Sequence, residues 1–456
     1  MESSETERIM MEDLDCGFVL VDFQENLAAE DGSPEEELMS DDDDDDLRYT
    51  NSVALKLTRK FPRKRCAVSI PPWQEQIKDV IKHQVLTYLP AKSVCRFRAV
   101  AKDWNNWISA PLFAHKQSVC FTEISGLFSQ FPGDEPCFTP FDRHSCGVPT
   151  PSLSFLPEKV EVRATDGGLV CCRSHLGSYY ICNPVTKQWT KLPEPIMYHG
   201  PKAALGLSFE PSPSSFSAHY QLVCAVVTTI SSPIDDDDDD DPLVVVSFEI
   251  YSSRSGEWRV CGAMYCDGDL GSPEIVGDGL CLNGFMYWET GGGKVLTFDV
   301  QNEECGVLTL PPGHGPQGSL GFMDGELCYL LPITSRWELD VEEEEEEEGG
   351  GLQAAVIQVY GDMDMKLKRV ISVDYGAREH CSRVLALVRD KVVIAVFGTQ
   401  IVAYDVEAEN GELIGTARDD GFERFLPYVN SLVGVKGAAS ADQEDYVSSE
   451  SDDMDV

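Results

Sequence analysis

The chain has 456 residues, 42% of them hydrophobic, and a formal net charge of −42. That length has room for about two or three domains with real cores, while the excess of acid argues against nucleic acid, whose phosphates need clustered Lys and Arg. No run approaches the roughly 20 apolar residues of a membrane helix, and the acidic start MESSETERIMMEDLD lacks the basic and apolar regions of a secretory signal; no membrane partner is expected, and the chain is placed in the nucleus, the cytoplasm or both.

The first 50 residues hold 19 acids against Arg8 and Arg48. They are too charged to bury a core, which predicts a disordered acidic tail over 1–55. A basic linker follows over 56–70. There Lys56, Arg59, Lys60, Arg63, Lys64 and Arg65 put six positive charges into ten residues, as either a nuclear-import signal or a solvated patch that folds back on the acidic tail.

Over 71–118 the pattern becomes helical. Ile77, Ile81 and Val85 fall four apart with Leu86 and Leu89 beside them, one stripe of an amphipathic helix. Pro90 ends that helix because it lacks an N–H and restricts the residue before it. Val94, Phe97, Val100, Trp104, Trp107 and Ile108 recur at spacings of three and four, which predicts further helical turns closed by Pro111. So short a unit cannot bury all of its own apolar surface. A linker is expected over 119–151.

From about residue 152, short β-branched and aromatic runs punctuated by Gly, Asn and Pro replace the helical spacing. One unit, strand then polar turn then strand, recurs at 179–193, 248–261, 296–312 and 402–417, with a looser copy at 356–373. Trp189 and Trp258 stand just beyond their turns, where a large side chain can pack between sheets. GGLVCC at 167, DGLCLNGFMYWET at 278 and GFMDGELCYLL at 321 add strands to these units. Four-stranded blades are therefore expected, about six of them over 152–436 at roughly 40–50 residues each. The fold class is α+β and multidomain: a small three-helix unit, then an all-β propeller in which radial repetition leaves only short edges. A second acidic tail is expected over 437–456.

The runs Asp41–Asp46, Asp235–Asp241 and Glu342–Glu348 hold 20 of the 78 acids. Runs of one sign repel themselves, so they read as solvated tail or loops on the propeller rim, or as traps for basic proteins. The sixteen cysteines include adjacent Cys171 and Cys172 but no CxxC pair, which fits reduced core thiols. Cys137, His144 and Cys146 come nearest to a ligand cluster and lack a fourth partner, so no metal is expected. GGGKV at 291–295 lacks phosphate-loop spacing and reads as a hairpin turn. With no GxSxG or HExxH in the chain, neither catalysis nor a cofactor is expected.

Leu89, Pro90, Lys92, Ser93, Val94, Arg96, Phe97, Arg98, Val100, Lys102 and Trp104, then Ile108, Pro111 and Phe113, follow the order LPxKSLxRFRxVxKxW with a later I, P and F. This run resembles the plant-type F-box. It departs where Ile77 and Lys78 replace an opening Leu-Pro, and where Ala101 replaces the usual Cys. Asn183-Pro184, Thr186, Trp189 and Leu192-Pro193 belong to a second set of matches. Tyr251-Ser252-Ser253 with Gly256 and Trp258, Leu282-Asn283-Gly284 with Tyr287-Trp288, and Phe425, Pro427-Tyr428 and Ser431-Leu432 complete it. That set resembles the F-box-associated, kelch-like domain of plant F-box proteins.

The resemblance implies a substrate receptor of a Skp-cullin-F-box ubiquitin ligase. The F-box would dock on the Skp adaptor, and through it a cullin, and the propeller would hold an unknown protein substrate; the receptor itself performs no bond chemistry. It also implies the residues of the adaptor face: Val85, Leu86, Leu89, Pro90, Val94, Phe97, Val100, Trp104 and Trp107, some of them packing the F-box internally. The alternative is an acidic scaffold or chaperone that binds basic proteins through its Asp and Glu tracts.

Overall fold

The computed structural model describes residues 78–142, 147–200, 203–211, 218–230, 243–266, 275, 279–333, 355–375, 381–418, 423–435 and 439–440. The N-terminal tail, the basic linker, all three acidic runs and most of 437–456 lie outside the described residues, as do His144 and Cys146.

Residues 78–80, the first described, are helical; the backbone then loosens into a π turn at Ile81–Val85 and tightens into a 3-10 turn at Leu86–Tyr88. This change of winding breaks the predicted stripe: Leu86 and Thr87 turn inward while Val85 is exposed. Leu89 is extended ahead of Pro90, with φ −93° and ψ 148°, as a residue before proline prefers. Pro90 then precedes α1 (Ala91–Phe97), followed by α2 (Lys102–Ile108). Pro111 does not close the helical stretch as predicted. It sits in the first turn of α3 (Pro111–Cys120), where its missing N–H has no partner to lose.

Strands start earlier than the sequence pattern indicated. β1 (Gly126–Gln130) and β2 (Cys137–Pro140) pair inside the stretch expected as a linker. Five antiparallel meanders of four strands follow. The first is β3 (Val160–Asp166), β4 (Leu169–Ser174), β5 (Tyr179–Asn183) and β6 (Gln188–Lys191); the second is β7 (Ala204–Pro211), β8 (Ala218–Ile230), β9 (Leu243–Ser252) and β10 (Glu257–Tyr265). The third is β11 (Leu280–Leu282), β12 (Phe285–Glu289), β13 (Lys294–Asp299) and β14 (Glu304–Thr309). The fourth is β15 (Ser319–Met323), β16 (Glu326–Ile333), β17 (Ala355–Gly361) and β18 (Lys366–Val373), and the fifth is β19 (Cys381–Val388), β20 (Val392–Phe397), β21 (Gln400–Asp405) and β22 (Asn410–Thr416). β23 (Arg424–Tyr428) then returns to pair with β1, from Gly126↔Tyr428 to Gln130↔Arg424. The short β24 (Ala439–Ser440) adds to β6. Six sheets thus form a six-bladed propeller whose last blade is built from both ends of the β region.

The five recurring sequence units are the outer hairpins β5–β6, β9–β10, β13–β14, β17–β18 and β21–β22. Their turns end on left-handed residues, Lys187 (φ 57°), Gly256 (78°), Glu303 (57°), Met365 (47°) and Glu409 (50°), the geometry that lets tight antiparallel strands pair. GGGKV is the β12–β13 hairpin, with Thr290 N donating to Lys294 O at 2.8 Å. Trp258 packs between the first two full blades against Tyr179 and Leu192, and its Nε1 donates to Pro193 O at 2.9 Å. Trp189 is half-buried beside Tyr180, at 5.9 Å between rings. The buried thiols Cys171, Cys172, Cys182, Cys224, Cys328 and Cys381 fill core positions.

Sequential meanders divide the propeller into two faces. The β3–β4 and β5–β6 turns and their equivalents lie on one, here the turn face; the β4–β5 turns and the blade-to-blade crossings lie on the other, the crossover face. Contacts between blades follow this division. On the turn face Asn283 Nδ2 donates to Gly325 O at 3.5 Å, and Asp324 N to the Asp390 carboxylate at 3.2 Å. On the crossover face Gln130 Nε2 donates to Val160 O at 3.4 Å, and Arg418 pairs with Asp134 at 2.7 Å.

Candidate docking surfaces

The helical unit encloses Leu86, Val94, Ile108 and Phe113, with Ile81, Leu89, Phe97, Trp104 and Trp107 packed around them. Trp107 is fixed by Phe113 at 6.3 Å, by His83 at 4.5 Å and by a hydrogen bond from its Nε1 to Lys82 O at 3.2 Å. Of the nine residues the resemblance implied, Leu86 and Val94 are therefore interior. Leu89, Pro90, Phe97, Trp104 and Trp107 are half-buried, and Val85 and Val100 are exposed. Val80 and Tyr88, absent from that set, are also exposed. Residues 78–120 carry seven Lys or Arg and two Asp, and Lys78, Arg96, Arg98 and Lys102 are exposed around the apolar side chains. The surface is greasy with a basic rim, unlike the chain as a whole.

One Leu and three buried polar side chains seat the helices on the turn face. Asn430 Oδ1 accepts from Ala91 N at 2.8 Å while its Nδ2 donates to Ser125 Oγ at 2.7 Å. Gln117 Oε1 accepts from Leu432 N at 3.1 Å, and Leu432 packs into the helical core. Asn183 Nδ2 holds the same strand-like tail through Ser431 O at 3.0 Å and Val433 O at 2.8 Å. At Gly168 (φ 85°) any Cβ would run into Ser431, so this turn requires glycine. Periodicity could not reveal Asn430 or Gln117, because each is a lone polar residue whose partner lies more than 300 positions away.

Along the propeller axis, a cavity of about 280 Å³ is bordered by Asp166, Glu289, Arg383 and Arg424, with Phe322 and Phe425 also on its wall. Desolvation pushes the Asp166 carboxyl up to about 7 although it accepts hydrogen bonds from the backbone of Phe209 and Gly167. Desolvation also pushes Glu289 up to about 7, against the pull of the Tyr329 hydroxyl and Arg383. A carboxyl that holds its proton longer in the folded state than at its ordinary value costs stability as pH rises from about 4 to about 7. Asp166→Asn is accordingly expected to match the wild type in a thermal melt near pH 4 and to melt roughly 2 °C higher at pH 8. A variant no more stable at pH 8 would contradict the desolvation account.

Among the described residues no helix is long and apolar enough to cross a membrane.

Comparison with known proteins gives two matches to family patterns. Residues 79–116 match the F-box domain, and residues 148–330 match the beta-propeller of F-box protein At3g26010-like chains. Neither is the pattern of an enzyme family. F-box protein At5g07610 of Arabidopsis thaliana is 29% identical over 252 residues, covering 51% of this chain and 56% of that protein. F-box protein At5g49610 of the same plant is 27% identical over 252 residues, covering 51% of this chain and 64% of that one. F-box only protein 6, also from Arabidopsis, is 31% identical over 155 residues, 31% of each chain. The chain spans 56% and 64% of the length of the first two of these relatives.

Proposed function

We propose that this chain, an F-box protein whose C-terminal part is a six-bladed β-propeller, is the substrate-recognition subunit of a Skp-cullin-F-box ubiquitin ligase, with no bond chemistry of its own. The F-box match over 79–116, joined to exposed Val80, Val85, Tyr88 and Val100, carries this reading. An apolar surface of that kind needs a protein cover in water. The basic rim points to a partner whose complementary surface is acidic, and the helices bind a Skp-type adaptor while the propeller binds the protein to be modified. The receptor's contribution is proximity: it raises the effective concentration of substrate lysines near the charged conjugating enzyme.

Substitution at exposed positions separates docking from folding. Val85→Glu with Val100→Glu is expected to abolish capture of a purified Skp-type adaptor while leaving the thermal midpoint of the chain within about 2 °C of the wild type, as surface changes usually do. Stoichiometric capture by the folded double variant would remove these two residues from the adaptor face. Leu86→Ala is unsuitable for this purpose, since a core cavity would cost about 2–5 kcal/mol and loosen the whole helical unit.

A further inference from the structure

The inner strands β3, β11, β15, β19 and β23, with the end of β12, wall the axial cavity of about 280 Å³. Each inner strand runs from the crossover face to the turn face, so position along the strand gives depth in the cavity. Asp166 and Phe322 lie near the turn-face ends of β3 and β15. Ser319 opens β15, Arg383 lies near the start of β19 and Arg424 opens β23, all at the crossover end. Glu289 ends β12, which runs antiparallel to β11, and so joins them. Two guanidiniums, a carboxyl and a hydroxyl therefore gather at one end of the cavity. Between the ends the wall is largely apolar, with Leu320, Phe322 and Leu385.

The polar groups at the two ends are satisfied to different degrees. Near the turn face Asp166 accepts from Phe209 N at 2.7 Å and from the Gly167 backbone, and Thr165 Oγ1 donates to Pro427 O at 2.5 Å. At the crossover end the Ser319 hydroxyl is buried and meets no hydrogen-bond partner among the described residues. The Glu289 carboxyl has the Tyr329 hydroxyl at 3.4 Å, and that hydroxyl also lies 3.2 Å from Gly315 O with one proton to share. Buried polar groups are as a rule hydrogen-bonded, so the crossover end holds capacity that the described side chains do not use.

Charge decides which ligand group fits there. Arg383 and Arg424 stay protonated at any working pH. Arg383 is held in place by Glu423 O at 2.9 Å and by the Phe425 ring, 5.7 Å from its guanidinium. Desolvation pushes the Glu289 carboxyl up to about 7, so it can carry a proton and donate it. A cation would face two guanidiniums, whereas an anion meets two fixed positive charges, the Ser319 hydroxyl and an acid able to donate. The apolar middle calls for an organic body, because a bare inorganic anion leaves it unfilled. At roughly 30 Å³ per water the cavity equals about nine waters, which suits a small molecule and not a protein segment.

We infer that the axial cavity binds a small organic carboxylate, held at the crossover end by Arg383, Arg424 and Ser319 with protonated Glu289 against it, its apolar body lying along Leu320, Phe322 and Leu385. The site is separate from adaptor docking and needs nothing from the ligase reading.

Calorimetric titration of the full chain with phenylbutyrate, its neutral amide phenylbutyramide, the cationic phenylbutylamine and inorganic phosphate tests this. Phenylbutyrate is expected to saturate one site below about 10 mM, and the other three probes to bind at least about tenfold more weakly. Arg424→Gln should weaken phenylbutyrate about tenfold. Ser319→Ala, too small a change to disturb the fold, should weaken it roughly fivefold. The proton on Glu289 gives a further signature. Tyr329 on β16 and Arg383 on β19 face this carboxyl, with Arg424 and, near the turn face, Asp166 on the same wall. An anion favours protonated Glu289, so affinity should fall about tenfold from pH 6 to pH 8, as the protonated fraction of a group titrating near 7 does. Glu289→Gln, which donates at every pH, should remove that fall, and Asp166→Asn should leave it in place. No saturation in the stated range, equal binding of the amide or the amine, or an affinity unchanged in both Arg424→Gln and Ser319→Ala overturns the inference. Phosphate binding as tightly as phenylbutyrate would reduce the site to an anion trap and overturn the organic body, and a flat pH profile in the wild type would overturn the role of Glu289.

Discussion

Deleting residues 424–456 is expected to abolish cooperative unfolding of the propeller. β23 supplies the third strand of the blade that closes the ring, and without it β1 and β2 form an isolated two-stranded hairpin, a unit of marginal stability in water. The deletion also removes Leu426 and Tyr428 from the core shared with Phe128, Val160 and Val162. It breaks hydrogen bonds to the neighbouring blade, from Thr165 Oγ1 to Pro427 O at 2.5 Å and from Tyr428 OH to Gly168 O at 3.2 Å. The helical unit loses Asn430 and Leu432 at the same stroke. Two large apolar residues alone are worth several kcal/mol, a large share of the ~5–15 kcal/mol typical of a domain. Urea unfolding followed by circular dichroism should therefore lose its sigmoidal transition. Deletion of 441–456, beyond the last described strand, should keep the wild-type midpoint. A 424–456 deletion that still unfolds at the wild-type midpoint would mean the ring does not depend on this closure.

The same strand shows where sequence reading reaches its limit. The five outer hairpins were legible because their signal is local: alternating apolar strands around a turn that needs a left-handed residue. β1 and β2 were not, because GLFSQ is short and its main partner is almost 300 positions away. The helical unit was legible in content but not in winding. Its apolar positions follow helical spacing, yet the π turn at Ile81–Val85 sends Val85 to solvent and Leu86 inward. Ser431 and Leu432, noted in the sequence only as matches to plant F-box proteins, link propeller to helices in the structure. Ile196 and Tyr198 carried no signal at all, since a Pro-bounded connection offers no period to read. Beneath them the buried Glu249 carboxylate accepts hydrogen bonds from Ile196 N and Met197 N. Physical chemistry explains the difference: patterns register residues that bury a face, whereas docking residues remain outside it.

Glu249→Ala is expected to cost about 3 kcal/mol or more, close to the upper range for a single substitution. Glu249 is fully enclosed, and truncation leaves His199 Nε2 and two backbone N–H groups facing a cavity too enclosed for free hydration. Each unmade hydrogen bond at a buried donor costs roughly 1–3 kcal/mol. Glu249→Gln retains an acceptor for the backbone and should lose less, so the Ala and Gln variants bracket the part of the loss that comes from unsatisfied donors. A second signature distinguishes this from simple cavity formation. In the wild type the His199 ring is held neutral below its ordinary pKa, so the unfolded chain binds the extra proton and stability falls as pH drops through about 6.5. Glu249 opposes that shift, raising the His199 pKa by charge and by hydrogen bond. Removing it should depress the ring's pKa further and steepen the loss of stability below pH 6.5. Urea midpoints of both variants at pH 5.5 and pH 8 measure this directly: equal losses for Ala and Gln, with no added pH dependence, would reduce Glu249 to a space-filling residue.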